Sequence, residues 1–240
     1  MIYNKDFFWT GQPIQTDIGN AHFLKVKDYP HYYNSMQIFS MSKNELYYTF
    51  YKSNKNHEFD EILKIIKKNE LYEIVISIPF VLKAYFDIFT KVFSDENVLE
   101  KINKNNFLEY RKLIMDMNCM KEKYVSSNPT IQKFLEKSER FKKQEHGEMT
   151  FSDIASTIVA FSGMSYEVLN EMTIFQFFLT FYRICQIKNY DTSTIFATVA
   201  GDKIKIDSFF KHINMFEDQN NYGLTKQEFN EMVKRANINK

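Results

Sequence analysis

The sequence predicts an all-α protein, a multi-helix bundle preceded by a short, less regular N-terminal arm. The chain of 240 residues contains only 6 glycines and 4 prolines, fewer than the tight turns of a β-rich fold require. Hydrophobic residues make up 44% of it and aromatic residues 17%, enough apolar surface for a core and too much for a disordered chain. Through its last two thirds, apolar residues recur at helical spacing behind helix-capping residues.

Residues 1–27 form the predicted arm, because glycines and prolines interrupt this part of the chain. Within it, Ala21–Val26 has the composition of a short strand or an extended segment. Asp28 then offers a helix N-cap, and Pro30 falls in the first turn, where a missing amide costs no hydrogen bond. We therefore expect the first helix to run from Asp28 to about Met41.

Residues 28–146 are predicted to form a helical domain. Its further segments each combine an apolar stripe with charged residues outside that stripe. A proline in the middle of one of them, Pro79, is expected to break or kink its helix. The predicted helices cover Glu58–Lys68, Leu71–Phe93, Asn106–Met120 and Pro129–Lys143, the last with Asn128 as its N-cap.

A polar stretch around Gly147 marks the predicted boundary to a second helical domain, residues 147–240. Three helices there are expected to begin at capping boxes, in which two side chains satisfy free amides of the first turn: Thr150 with Asp153, Thr173 with Gln176, and Thr225 with Glu228. Gly163 fits a helix stop. A short helix capped by Asp207 is expected to carry Phe209, Phe210 and Ile213.

Charge and cysteine content argue against several functional classes. The net charge is +1, so the chain lacks the concentrated positive charge of a nucleic-acid binder. Two cysteines in apolar patterns, Cys119 and Cys185, indicate neither a disulfide framework nor a structural zinc site, and they suit a reducing compartment. The longest apolar run, Ile74–Leu82, is about half the length that crosses a bilayer. No signal-peptide pattern is present at the N-terminus, and no membrane association is expected.

No catalytic motif stands out. The histidines are scattered, the glycines form no phosphate-binding loop, and no serine nucleophile elbow is present. We therefore expect a non-enzymatic protein without a cofactor. An enzyme whose site is assembled in space is the alternative, and a pocket with close titratable groups would favour it.

The segment Asp218–Gly223 resembles the start of a calcium-binding loop. The twelfth position of such a loop requires a bidentate glutamate, but here it is Phe229, and Glu228 falls one residue short. A polar turn followed by a capping box explains the same residues. We expect the chain to bind no metal.

The segment Ile174–Ile187 is the most informative part of the sequence. Its polar residues form one narrow helical stripe and the others are large and apolar, so most of the helix surface must be covered. A central bundle helix explains this pattern, and contact with a partner is the alternative. The residues expected to pack inside are Ile174, Phe177, Phe178, Phe181 and Ile184. The residues expected to contact a partner flank the polar stripe, and they are Phe175, Leu179 and Tyr182.

Several segments, in this order along the chain, together resemble bacteriophage tail assembly chaperones of low-GC Gram-positive hosts. The C-terminal segments with this resemblance are Met149–Ile154, Ser162–Tyr166, Met172–Phe177, Ala200–Asp202 and Phe209–Ile213. The upstream segments are Gln12–Ile14, Lys27–Tyr29, Phe107–Ile114 with Asn118, and Asn128–Gln132.

The resemblance implies a protein that acts in the host cytoplasm, where it binds the tape measure protein and helps to recruit tail tube subunits. It implies no catalytic residues. The alternative is a structural tail or baseplate component, which would remain in purified virions, whereas a chaperone would be absent from them. Self-association is compatible with the sequence, which does not specify an oligomeric state.

Overall fold

The chain folds mainly into helices, so the predicted all-α class is confirmed. A computed structural model describes residues 3–54, 57–126, 129–146, 149–200 and 206–216. The α-helices of the first half are α1 Tyr29–Ser40, α2 Lys43–Ser53, α3 Asp60–Lys68, α4 Leu71–Ser77, α5 Pro79–Phe93, α6 Val98–Lys101 and α7 Phe107–Met117. Those of the second half are α8 Pro129–His146, α9 Phe151–Ser162, α10 Tyr166–Glu171 and α11 Ile174–Ala200.

The N-terminal segment is less regular, as predicted. It begins with a 3₁₀ helix, Lys5–Thr10, followed by an antiparallel hairpin of β1, Ile14–Thr16, and β2, Gly19–Ala21. A second 3₁₀ helix, Val26–Asp28, leads into α1. Ala21–Val26 was predicted as a short strand or an extended segment, and the strand is wrong, because β2 ends at Ala21. The backbone beyond Ala21 bonds to other elements.

Sequence signals for helix ends are well reproduced in the structure. The predicted break at Pro79 separates α4 from α5, and Ile78 between them is extended, as steric contact with a following proline requires. The Thr150–Asp153 capping box opens α9, and Gly163 ends it in a left-handed conformation at φ 73°. Asp28 precedes α1, but its side chain accepts from the Lys25 amide instead of capping the helix.

Two local predictions are wrong. No helix forms around Phe209 and Phe210, where the described chain makes turns and lies against α11. Helix α7 ends at Met117, so Cys119 is not helical and has a φ of 53°. Helix α2 was not predicted. The sequence does contain a signal for it, because Ser42 caps the helix by accepting a hydrogen bond from the Glu45 amide at 3.2 Å. The Thr225–Glu228 box and the Asp218–Gly223 loop lie outside the described residues.

One buried arginine ties the first half of the chain together. Arg111 of α7 is 5% exposed, and its guanidinium donates to the backbone carbonyls of three consecutive residues at the end of α1: Phe39, Ser40 and Met41. It also donates to the hydroxyl of Tyr85 on α5 at 2.9 Å and pairs with Glu122. These last carbonyls of a helix have no partner within it, so Arg111 supplies their hydrogen bonds.

A second set of long-range contacts joins the N-terminal segment to helix α11. We call this the N-terminal seam, formed by residues 22–26 and the chain at Met172–Ile174. The amide of Val26 donates to the Met172 carbonyl at 2.9 Å, and the amide of Ile174 donates to the Leu24 carbonyl at 2.8 Å. Lys25 and Thr173 form a β-bridge between them. Backbone hydrogen bonds therefore attach the less regular N-terminal segment to the start of α11.

Side chains on both sides reinforce the seam. Asn118, 1% exposed at the end of α7, accepts from the Leu24 amide at 3.0 Å and donates to the Ile114 carbonyl at 2.9 Å. Lys25 and Lys27 each donate to Glu171 at 2.6 Å. These hydrogen bonds lower the pKa of Glu171 to about 2, so its carboxylate stays ionised through the physiological range.

We predict that Arg111→Met lowers the free energy of unfolding by about 2–4 kcal/mol, because several buried carbonyls lose their donors together. Glu122→Gln, which removes only the partly exposed carboxylate partner, is expected to cost less than about 1 kcal/mol. Urea denaturation of the two variants measures both values. Equal losses in the free energy of unfolding would show that Arg111 stabilises the fold through its ion pair with Glu122 and not through its hydrogen bonds to the end of α1.

Candidate partner-binding surface

Helix α11 is the longest helix among the described residues, and its first half lies in the core. With 27 residues it is about 40 Å long. The expected inner face is largely confirmed: four of its residues are buried, and the fifth, Phe178, is half-buried against the core. The buried four are Ile174, Phe177, Phe181 and Ile184.

The residues predicted to contact a partner are more buried than such a contact requires. Phe175 is only 4% exposed, so the expectation that it faces outward is wrong. Leu179 and Tyr182 are half-buried against the core. Burial raises the pKa of the Tyr182 hydroxyl. Their contact with another protein stays a prediction.

The chain itself covers the flank on which Phe175 lies. The ring of Phe175 packs edge-on against Phe8 of the first 3₁₀ helix, with centroids 5.5 Å apart, and stacks on Phe216 at 5.9 Å. Phe8 and Phe216 also contact each other at 5.8 Å. We call Lys5–Thr10 and residues 206–216 the two covering segments, and they meet on this side of α11.

The polar stripe of α11 binds the backbone of the covering segments. Gln176 donates from Nε2 to the Trp9 carbonyl at 2.8 Å. Arg183, seven residues further along the same stripe, donates to the carbonyls of Phe209 at 2.7 Å and Lys211 at 3.2 Å. The stripe therefore marks where non-helical backbone lies on the helix.

Large aromatic side chains project from the two covering segments into solvent. Their exposed fractions are 61% for Phe7, 57% for Trp9, 45% for Phe209 and 73% for Phe210. We call these four residues the outer aromatic surface. Trp9 is the only tryptophan of the chain. Phe209 and Phe210 contact each other, with ring centroids 5.2 Å apart. Exposed aromatic residues are enriched in protein–protein interfaces.

Close titratable groups, the feature that would favour an enzyme, occur in one cavity of the described residues. A cavity of about 620 Å³ between α2 and α3 includes His57 and Asp60, whose side chains lie 3.1 Å apart. His57 is exposed and Asp60 is about half-exposed. Hydrogen bonds from Asn54 and His57 lower the pKa of Asp60. This arrangement fits the start of α3, where Asn54 also accepts from the Phe59 amide. The absence of enzymatic activity stays a prediction.

Three further features bear on the predicted properties. Burial raises the pKa of the Cys119 thiol to about 12, which keeps it protonated and weakly nucleophilic. Over the described part of the chain, no group of three or more His, Cys, Asp or Glu side chains is arranged to hold a metal ion. Within the same residues, no helix has the length and apolar character needed to cross a membrane.

The structure defines a mainly α-helical protein with exposed aromatic side chains on its two covering segments. Residues 2–127 match the model of the YomV N-terminal domain, and residues 142–214 match that of the YomV second domain. The chain belongs to this YomV family, which is phage-derived. It is 39% identical over 227 residues to the SPbeta prophage-derived uncharacterized protein YomV of Bacillus subtilis (strain 168), covering 94% of this chain and 95% of that protein. No solved structure matches the chain.

We predict that Phe175→Ala lowers the free energy of unfolding by about 3–5 kcal/mol, because it leaves a cavity among packed aromatic rings. Trp9→Ala is the matched comparison, and it should cost less than about 1 kcal/mol. The Trp9 ring is more than half exposed, and the carbonyl that accepts from Gln176 remains in the variant. Chemical denaturation measures the free energy of unfolding of both variants. Similar losses would contradict the assignment of Phe175 to the core and of Trp9 to the surface.

Proposed function

We propose that this protein is a phage tail assembly chaperone that binds the tape measure protein through its outer aromatic surface and assists assembly of the tail tube. The observation that carries this proposal is the exposure of four aromatic rings on the two covering segments: Phe7, Trp9, Phe209 and Phe210. The phage-derived family supports a role in phage biology. The sequence resemblance to tail assembly chaperones supplies the finer function and the partner.

The physical basis is burial of apolar surface. A long, apolar helical protein aggregates unless its exposed side chains are covered while it waits for assembly. Rigid aromatic side chains cover much apolar area at a small cost in conformational entropy. The net charge of +1 means that long-range attraction contributes little, so binding should depend only weakly on salt.

The covering segments suit such a role because their positions are fixed. Hydrogen bonds from Gln176 and Arg183 hold their backbones on α11, and the Phe8, Phe175 and Phe216 rings pack beneath them. The outer rings are therefore presented on a preformed support, which reduces the entropy lost on binding. Leu179 and Tyr182 lie on the supporting helix and are proposed as secondary contacts at its margin.

The direct test is co-expression with the tape measure protein of the same phage. The native chain should keep that protein in the soluble fraction and co-purify with it. Trp9→Ala combined with Phe210→Ala should reduce co-purification at least about tenfold, as expected for loss of two aromatic interface residues. Tyr51→Ala, which removes a ring that is 62% exposed on α2, is the matched control and should leave capture unchanged.

Mass spectrometry of purified virions then separates the chaperone from a structural tail or baseplate component. A chaperone should be absent from finished particles. A fixed number of copies per particle would replace the chaperone assignment with a structural one. Equal capture by the double variant and the native chain would show that the outer aromatic surface is not the binding site.

A further inference from the structure

The cavity between α2 and α3 is lined by more cations than anions. Its volume of about 620 Å³ falls in the range of small-molecule binding sites in proteins. Among the described residues, its lining includes three ammonium groups and one carboxylate: Lys52, Lys64, Lys67 and Asp60. A cavity with this excess of positive charge concentrates the electric field inside it and attracts anions.

The carboxylate of this lining is compensated by its own neighbours. Asp60 accepts a hydrogen bond from Nδ2 of Asn54 at 2.7 Å, and its other oxygen lies 3.1 Å from Nδ1 of His57. Asp60 is also the first residue of α3, where the helix dipole stabilises a negative charge. Its charge therefore has partners other than the lysines of the cavity, and those lysines remain available to a ligand.

The three lysines are held only weakly by other side chains. Lys52 pairs with Glu136 at 3.1 Å and Lys64 pairs with Glu61 at 2.7 Å, and neither glutamate lines the cavity. Both lysine side chains are more than half exposed, and exposed ion pairs contribute little free energy. A ligand can therefore replace these partners at small cost. Lys67 forms no ion pair within the described part of the chain and contacts an aromatic ring instead.

Two tyrosines of α2 line the same cavity. Tyr47 and Tyr51 lie one helical turn apart, and their rings are stacked with centroids 6.0 Å apart and 16° between the ring planes. The ammonium group of Lys67 lies 5.2 Å from the centroid of the Tyr47 ring, so a cation and an aromatic pair adjoin within the site. Tyr51 is 62% exposed, which leaves its ring free to stack on a flat ring of a ligand.

We propose that this cavity binds a free nucleoside phosphate. A terminal phosphate carries about two negative charges on three oxygens, so it contacts several lysines at once, which a singly charged carboxylate does less well. The base stacks on Tyr51, because every nucleobase has a flat face that packs on an aromatic ring. The net charge of the chain is only +1, which favours a single nucleotide over a nucleic-acid strand. No residue of the outer aromatic surface lines the cavity, so this site is separate from the proposed binding of the tape measure protein.

Isothermal titration calorimetry with adenosine 5′-diphosphate, and separately with inorganic pyrophosphate, tests this proposal. The native chain should bind the nucleotide at least about tenfold more tightly than pyrophosphate, because only the nucleotide has a ring that stacks on Tyr51. Tyr51→Ala should remove that difference and leave the affinity for pyrophosphate unchanged. Lys64→Gln combined with Lys67→Gln should weaken the binding of both ligands by at least about tenfold, because both bind through phosphate oxygens.

The matched controls alter exposed residues of the same types outside the cavity. Tyr166→Ala removes a ring that is 53% exposed on α10. Lys68→Gln combined with Lys83→Gln removes two exposed ammonium groups, one of them from the residue next to Lys67 on α3. Neither control should change the affinity for either ligand, and far-ultraviolet dichroism should show that every variant keeps the native helix content.

Several results would overturn the proposal. One is the absence of nucleotide binding by the native chain at about 1 mM ligand. Others are equal affinities of the native chain for the nucleotide and pyrophosphate, or nucleotide binding that the Tyr51 or lysine variants leave unchanged. Tighter binding of a short single-stranded oligonucleotide than of the free nucleotide would replace the proposed ligand with nucleic acid. Tyr51→Ala is expected to keep capture of the tape measure protein, so failure of this proposal and failure of the chaperone assignment are distinguishable.

Discussion

The pairing of residues 22–26 with the start of α11 is the constraint on which the rest of the structure depends. The N-terminal seam joins the part of the chain that matches the first YomV domain to the part that matches the second. The seam fixes where α11 begins. The first 3₁₀ helix, Lys5–Thr10, precedes the seam in the chain and covers the flank of α11. Without this pairing, the contact between the Phe8 and Phe175 rings would be lost, and the outer aromatic surface would lose its support.

The long-range polar contacts share a simple physical logic. The last carbonyls of a helix have no partner within it, and in this protein remote segments supply their donors. Arg111 serves the end of α1, the His22 amide donates to Val92 near the end of α5, and the Val26 amide donates to Met172 after α10. Such contacts specify relative position better than apolar packing does, because a displaced segment leaves buried polar atoms unsatisfied.

Local signals in the sequence predicted local structure well. The break at Pro79, the capping boxes at Thr150 and Thr173, and the stop at Gly163 depend on residues within one helical turn of each other. Local signals could not predict that the two covering segments pack on α11. An apolar flank on α11 indicates that something covers it, but the pattern is the same whether the cover is a partner or the chain itself. Phe175 was assigned to a partner for that reason.

The organisation of the chain into units was predicted less completely. The proposed divisions at residues 27 and 146 rest on composition, and they stay predictions. The family models leave residues 128–141 between their two domains. Composition predicted a less regular N-terminal arm because glycines and prolines interrupt residues 1–27. It could not predict that those breaks let the chain turn repeatedly and place Phe8, Leu24 and Val26 in the core.

Native-state hydrogen exchange at the amides of Leu24, Val26 and Ile174 tests the role of the seam most directly. If the seam holds the two parts of the chain together, these amides should exchange only by global unfolding, with a free energy equal to that of the whole protein. They would then be as protected as the amides in the middle of α5. Exchange through a local opening at a much lower free energy would show that the N-terminal segment is a detachable arm and would contradict this account.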